Sequence, residues 1–182
     1  MEFDIKKGGN KNMLNIALTN LGKYNEGELV FEWLELPASD EEIQETFKKI
    51  GVAEGSRYEE YFISDFETDI DGLDVGEYEN LEELNELAER IDNLDTEELE
   101  IFQALMESVS SNIGNALDNV DNYYLMNDIK DDYDLGKYWI EESGCYEVPD
   151  NLKYYIDYEK FGRDIAMESD GYMTSYGWLQ SA

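Results

Sequence analysis

The spacing of apolar residues changes several times along the chain, and each change marks an element. Leu14, Ile16 and Leu18 alternate with Asn15, Ala17 and Thr19, the period of a half-buried strand. The polar stretch 21–27, with Gly22 and Gly27, predicts a hairpin-like loop. A second strand is expected over 28–36, rich in aromatic and aliphatic residues and stopped at Pro37. Ser39 with Glu42 three residues on makes a capping box for a helix with Ile43, Phe47 and Ile50 as its stripe and Gly51 as its end. A third strand is expected over 58–66, with Tyr58, Phe62 and Phe66 on one side and Ile63 on the other. Strand, strand, helix, strand makes a small α+β unit.

Residues 68–80 are rich in Asp and Gly and predict a linker. Two amphipathic helices follow. Asn80 caps the first, whose buried face is Leu81, Leu84, Leu87, Ala88 and Ile91. Asp95 and Glu98 box the second, with Leu99, Phe102, Leu105, Met106 and Val109 apolar. A shorter helical piece is expected over 112–117. The remainder mixes types: a short strand at 123–126, a helix over 131–143 stopped by Gly144, one or two helices over 152–167, and a terminal strand over 171–179. This organisation gives a leader over 1–13, an α+β domain over 14–75, a helical middle over 76–119 and a mixed C-terminal domain over 120–182. The leader is basic for this chain, with Lys6, Lys7 and Lys11, and Met13 is a candidate functional start.

Charge changes the picture. The 182 residues include 45 Asp and Glu against 13 Lys and Arg, a net charge of -32, while 42% hydrophobic content argues for a folded core. Self-repulsion on this scale opposes compactness and needs a reason. High-salt adaptation, cation binding, or recognition of a surface that normally holds a polyanion each supply one. Nucleic acid and anionic membrane are excluded as partners by Coulomb repulsion. Between Tyr58 and Ile129 there are 22 acidic residues and one basic residue, Arg90. On the helix beginning at Leu81, Glu82, Glu86 and Glu89 fall at i, i+4 and i+7 opposite the leucines. Like charges at this spacing cost roughly 0.2–0.5 kcal/mol per pair, and ordinary surface helices relieve it with interspersed lysines. B-DNA carries one charge per about 1.7 Å of axis, so the excess charge matches on the order of 54 Å of duplex. A compact globule of this length has a radius of gyration near about 16 Å, so charges at DNA spacing favour an elongated body.

The chemical inventory is thin. The sequence has no His, which removes imidazole bases and ligands, and its single Cys145 makes neither an internal disulfide nor a zinc site. No catalytic residue, cofactor or metal is expected. The segment from Glu67 through Asp69 and Asp71 to Gly72 starts like a calcium loop, but Asp74 and Tyr78 stand where an apolar residue and a Glu belong. Asp131, Asp132 and Asp134 supply negative charge at a helix N-terminus more simply than a magnesium site. With no apolar span of membrane length and no apolar core of a signal peptide at the start, a cytoplasmic protein of a bacterial host cell is expected.

Several blocks then carry a family resemblance. They are Asn20-Leu-Gly-Lys-Tyr-Asn-Glu-Gly-Glu-Leu-Val30 followed by Trp33; Tyr58-Glu-Glu-Tyr-Phe-Ile-Ser-Asp65; Leu81-Glu-Glu-Leu-Asn-Glu-Leu87; Tyr133-Asp-Leu-Gly-Lys-Tyr-Trp-Ile-Glu-Glu-Ser-Gly144; and Val148-Pro through Tyr158 to Phe161-Gly-Arg-Asp164. In this order they resemble the ArdA antirestriction proteins of conjugative elements and phages, from about residue 14 to the C-terminus. The resemblance implies an elongated α+β chain of three small domains and a homodimer joined through the C-terminal domain. It also implies imitation of bent B-DNA and inhibition of type I restriction-modification enzymes through their methyltransferase and specificity core. The carboxylates expected to form the mimic surface are Asp69, Asp71, Asp74, Glu77, Glu79, Glu82, Glu83, Glu86, Glu89, Asp92, Glu97, Glu98, Asp128, Asp131, Asp132 and Asp134. Tyr133, Trp139, Tyr154, Tyr155, Tyr158 and Arg163 are expected at the dimer surface or supporting it. A mimic aimed at a CRISPR effector, another phage-defence complex or a transcription factor stays open, as do an acidic cation-binding protein, an enzyme using an acidic cluster, and a halophilic structural protein.

Overall fold

The computed structural model describes residues 14–182. The expected leader lies outside the described residues. The chain is α+β, with two three-stranded antiparallel sheets and, among the described residues, eight α-helices. It divides into two compact units that meet between Leu94 and Asp95.

The first unit holds β1 (Leu14–Asn20), α1 (Leu21–Asn25), β2 (Phe31–Leu36), α2 (Asp40–Ile50), β3 (Tyr61–Thr68) and α3 (Leu81–Asp92), with strand order β2-β1-β3. The central strand is buried almost throughout: Leu14, Ile16, Ala17, Leu18, Thr19 and Asn20 are all inaccessible. The stretch expected as a hairpin-like loop is instead a helical turn. Asn20 makes the difference: its side-chain oxygen accepts the Lys23 N–H at 2.9 Å, capping α1, while its amide donates to the Ile50 carbonyl at 3.1 Å. A fully buried amide thus satisfies itself on two helices, which propensity along the chain does not reveal.

The second strand starts at Phe31 rather than at residue 28. The third starts at Tyr61 rather than at residue 58, and a bulge changes its faces. Ala17 pairs with Asp65 and Leu18 with Ile63, leaving Ser64 as the extra residue. Its hydroxyl lies 2.7 Å from that of Thr19. Phe62 and Phe66, expected on one side, therefore lie on opposite faces of the sheet. The capping box of Ser39 and Glu42 forms as expected, and Gly51 ends α2 at a left-handed φ of 75°. The hydrogen bond from Ser39 lowers the Glu42 pKa. Residues 68–80 carry no helix or strand beyond Thr68, but they are no loose tether: Ile70, Leu73 and Val75 are buried.

The second unit holds α4 (Thr96–Ser108), α5 (Ile113–Asn119), a 3-10 turn (Val120–Asn122), β4 (Tyr123–Met126), α6 (Asp132–Lys137), a π-helical turn (Tyr138–Glu142), α7 (Asp150–Lys153), α8 (Tyr158–Glu168), β5 (Gly171–Thr174) and β6 (Gly177–Ser181), with strand order β4-β6-β5. The expected helix over 131–143 is thus an α-helix that widens into a π turn. The expected single terminal strand is a hairpin, because Ser175 and Tyr176 turn the chain and the Thr174 hydroxyl accepts from Tyr176 and Gly177 N–H at 3.2 Å. Glu107 of α4 holds that turn, accepting from the Ser175 N–H at 3.0 Å and its hydroxyl at 2.7 Å. Ile129, Leu135 and Trp178 form a core cluster against which Met126, Tyr138, Trp139 and Ile165 pack. Helices α6 and α8 cross at Gly136 and Gly162, both buried.

Candidate functional site

The carboxylates singled out by sequence divide between the two units. In the first, Asp69, Asp71, Asp74, Glu77 and Glu79 lie exposed in the loop after β3. Glu79 also accepts the Gly76 N–H at 3.2 Å, and the Glu77 carbonyl accepts the Ile63 N–H at 2.8 Å, so this loop is fastened to β3. Glu82, Glu83, Glu86, Glu89 and Asp92 are exposed on α3, while Leu81, Leu84, Ala88 and Ile91 are buried on its other side. Asn80 starts this helix by accepting from the Glu82 and Glu83 N–H groups at 2.9 and 3.3 Å.

Which way α3 faces is set by a residue the sequence reading did not single out. Asn85 reaches to the segment after β2, where its oxygen accepts the Ala38 N–H at 2.7 Å and its amide donates to the Ala38 carbonyl at 3.0 Å. This paired bond fixes both the rotation and the position of the helix. Its sequence signal is an amide on an otherwise apolar stripe, one residue after Leu84.

In the second unit, Glu97 is exposed and Glu98 half-buried on α4, where Glu98 completes the capping box by accepting the Asp95 N–H at 2.8 Å. Asp128 and Asp131 are exposed, and Asp132 and Asp134 half-buried, around the start of α6. Asp131 caps α6 through the Asp134 N–H at 2.9 Å, and Asp134 accepts from the Lys130 N–H at 3.1 Å. Some of these carboxylates therefore hold local structure as well as carrying charge.

The aromatic group separates. Tyr154 and Tyr155 stand almost fully in solvent, 91% and 85% exposed, on the turn after α7. Tyr133 is exposed and meets the Tyr158 ring edge-on, with centroids 5.6 Å apart. Trp139 packs against the core cluster, and its indole N–H is buried without a partner. The Tyr158 hydroxyl donates to Glu141 at 2.5 Å, and this bond to a carboxylate pushes the phenol pKa up to about 12. Arg163 sits 3.6 Å from Asp132 and 3.5 Å from Glu159, joining α8 to the start of α6. Among the described residues, no three His, Cys, Asp or Glu side chains lie together so as to hold a metal ion, and no helix is long and apolar enough to cross a membrane.

What the two units present are carboxylate-bearing surfaces on helices and loops fixed by caps and paired amides. These are the surfaces of an acidic α+β protein. The family model described as antirestriction protein (ArdA) matches residues 16–180, and the chain belongs to that family. Its members are inhibitors, not enzymes, and membership implies antirestriction activity against type I restriction enzymes. A comparison with curated proteins finds no match.

Proposed function

We propose that the chain inhibits a type I restriction-modification enzyme by imitating B-DNA, its exposed carboxylates standing where phosphates would lie in the DNA-binding groove of the methyltransferase and specificity core. The observation that carries this reading is α3. Glu82, Glu83, Glu86, Glu89 and Asp92 are spread over a helix of 12 residues whose opposite side is buried. At about 1.5 Å per residue the helix is about 18 Å long, which gives roughly one carboxylate per 3.6 Å. A DNA strand offers one phosphate per about 3.4 Å. Asp69, Asp71, Asp74, Glu77 and Glu79 extend this charge in the first unit. Glu97, Glu98, Asp128, Asp131, Asp132 and Asp134 carry it in the second.

The mechanism needs no covalent step. Long-range attraction steers the acidic protein to a basic groove and gives fast association that weakens with salt. Because the contact is distributed, the fixed scaffold matters: helices pinned by Asn80, Asn85 and the Asp95–Glu98 box present their charges with no backbone left to order on binding. The target is a protein and not a nucleic acid or a membrane. In the same reading the chain is an elongated arrangement of three small domains acting in the cytoplasm as a homodimer. Exposed Tyr154, Tyr155 and Tyr133 supply its C-terminal contact, and Tyr158, Trp139 and Arg163 support them.

Competition tests the reading. The purified protein is titrated against labelled duplex bound to a type I enzyme at several salt concentrations. Stoichiometric displacement that fades as salt rises is expected. Inhibition of cleavage with the duplex still bound would overturn mimicry.

A further inference from the structure

The outward face of the first sheet carries features that a phosphate mimic does not require. Strand register fixes what lies there. Phe31 pairs with Thr19 and Thr19 with Phe62; Trp33 pairs with Ala17 and Ala17 with Asp65; Glu35 pairs with Asn15 and Asn15 with Glu67. Residues directly opposite on neighbouring strands share a face. Phe31, Trp33, Glu35, Asp65 and Glu67 therefore stand on one side, away from the side on which Leu34 and Leu36 are buried. Phe31 is 44% exposed and Trp33 39%, and the carboxylates of Glu35, Asp65 and Glu67 are exposed with them. On the same face Phe62 is buried, flanked by the rings of Tyr24 and Tyr78 with centroids 5.2 and 6.4 Å away, so the exposed part of the face is the ledge of Phe31, Trp33 and the carboxylates.

We propose that this face docks an arginine-bearing segment of a partner protein, with guanidinium groups stacked on Phe31 and Trp33 and bonded to Glu35, Asp65 and Glu67. Charge complementarity selects the occupant. The three strands contain no Lys or Arg, and the whole chain is at -32, so a cationic partner is favoured and an anionic one repelled. A second copy meeting through this face would bring its own carboxylates against these. The aromatic ledge then separates the two cationic side chains. Guanidinium is planar, weakly hydrated and stacks on rings while its edge still donates to carboxylates; ammonium is a hydrated point charge. Residues two apart on a strand are about 6.8 Å apart, so one arginine can cover Trp33 and reach Glu35. The inference goes beyond DNA mimicry and does not depend on it, since it asks only for a cationic protein surface.

The test uses the full chain with two probes of equal length, an oligoarginine and an oligolysine, followed by titration calorimetry. Each guanidinium stacked on a ring should gain up to about 2- to 5-fold in binding, and the oligoarginine should bind the tighter because its plane stacks while ammonium stays hydrated. Phe31→Leu with Trp33→Leu keeps apolar bulk and removes the ring faces, so it should erase the preference while lysine binding stays within twofold, on the order of an exposed contact. Glu35→Gln with Glu67→Gln should weaken both probes while leaving arginine ahead. Glu82→Gln, Glu86→Gln and Glu89→Gln together should leave the arginine preference intact, so its loss in the double Leu variant alone separates this face from the α3 surface. Equal affinity of the two probes for the unaltered protein, or a preference that survives the double Leu variant, overturns the proposal. So does dissociation of a dimer into monomers on sedimentation of the double Leu variant, which would make the face a self-contact. Should the Leu pair fail to fold, Trp33→Leu alone, checked by its thermal melt, carries the same comparison.

Discussion

Gly136 and Gly162 face each other where α6 crosses α8, so closely that a Cβ on Gly162 would stand 2.7 Å from the Gly136 nitrogen and 1.7 Å from the Asp132 carbonyl oxygen. A Cβ on Gly136 would stand 2.0 Å from the Tyr158 carbonyl oxygen. These obstacles are backbone atoms, which cannot swing aside as a side chain can. The same crossing sets Tyr133 against Tyr158 and Asp132 against Arg163. Gly136→Ala and Gly162→Ala should each destabilise the second unit by about 1–3 kcal/mol, the ordinary cost of overpacking, or more if the helices must separate. Urea unfolding checks this. A thermal melt unchanged by both substitutions would mean the helices do not meet at this distance.

The paired hydrogen bond between Asn85 and Ala38 makes a second prediction. Asn85→Leu leaves the Ala38 N–H and carbonyl without their partners, in a setting where Ala38 itself is buried. A loss of about 1–3 kcal/mol is expected from the stranded groups. Hydrogen exchange gives the sharper readout, since faster exchange should concentrate on the Ala38 amide and on α3. Uniform acceleration over the whole first unit would instead mean that Asn85 holds the fold and not the orientation of one helix.

How far these features were legible in the sequence depends on their range. Capping boxes at Ser39–Glu42 and Asp95–Glu98 and the apolar stripe of α3 are set within a turn or two, and the residue spacing spells them out. The bulge at Ser64 is a relation between two strands, so Phe62 and Phe66 read as one face until the partner strand is known. The hairpin turn after Thr174 was hidden because Tyr176 and Trp178 continue a strand-like alternation through it. Asn20 and Asn85 act across 30 and 47 residues of chain, a distance that local pattern does not cover. The amphipathic spacing of α3 and α4 was plain, but spacing does not state which sheet a helix accompanies. In the candidate site, the exposure of the acids on α3 followed directly from their position opposite the leucines. The exposure of Tyr154 and Tyr155 did not, because aromatic residues near a helix read equally well as core.

The contact between Tyr158 and Glu141 gives a prediction in the alkaline range. A hydrogen bond to the carboxylate favours the neutral phenol, and the Tyr158 pKa rises from 10.0 to about 12. With the folded value above the unfolded one, the contribution to stability is fully present below the unfolded pKa of about 10 and fades as pH climbs through about 12. Difference absorbance between the unaltered protein and Tyr158→Phe should place one phenolate titration near the upper value. Glu141→Gln should return it toward the ordinary range. A Tyr158 that titrates near 10.0 instead would show that the bond does not persist in solution.

The acids of α3 should act together and hardly at all alone. Exposed single ion contacts are worth about 0.2–1 kcal/mol, so Glu82→Ala should raise the concentration needed for half-inhibition about fivefold or less. Replacing Glu82, Glu86 and Glu89 together with Lys moves the net charge from -32 to -26 by changing each position by two. It also puts like charge against a basic groove, where such juxtaposition costs several kcal/mol, so inhibition should weaken on the order of a hundredfold. The leucine side of α3 is untouched, so the thermal melt should stay near that of the unaltered protein. The dependence of inhibition on salt should flatten in the triple variant, because fewer charges are neutralised on contact. Loss of all activity in Glu82→Ala alone would locate the interaction at one residue and contradict a distributed surface. A triple variant that inhibits as well as the parent, with the same salt dependence, would remove α3 from the contact altogether.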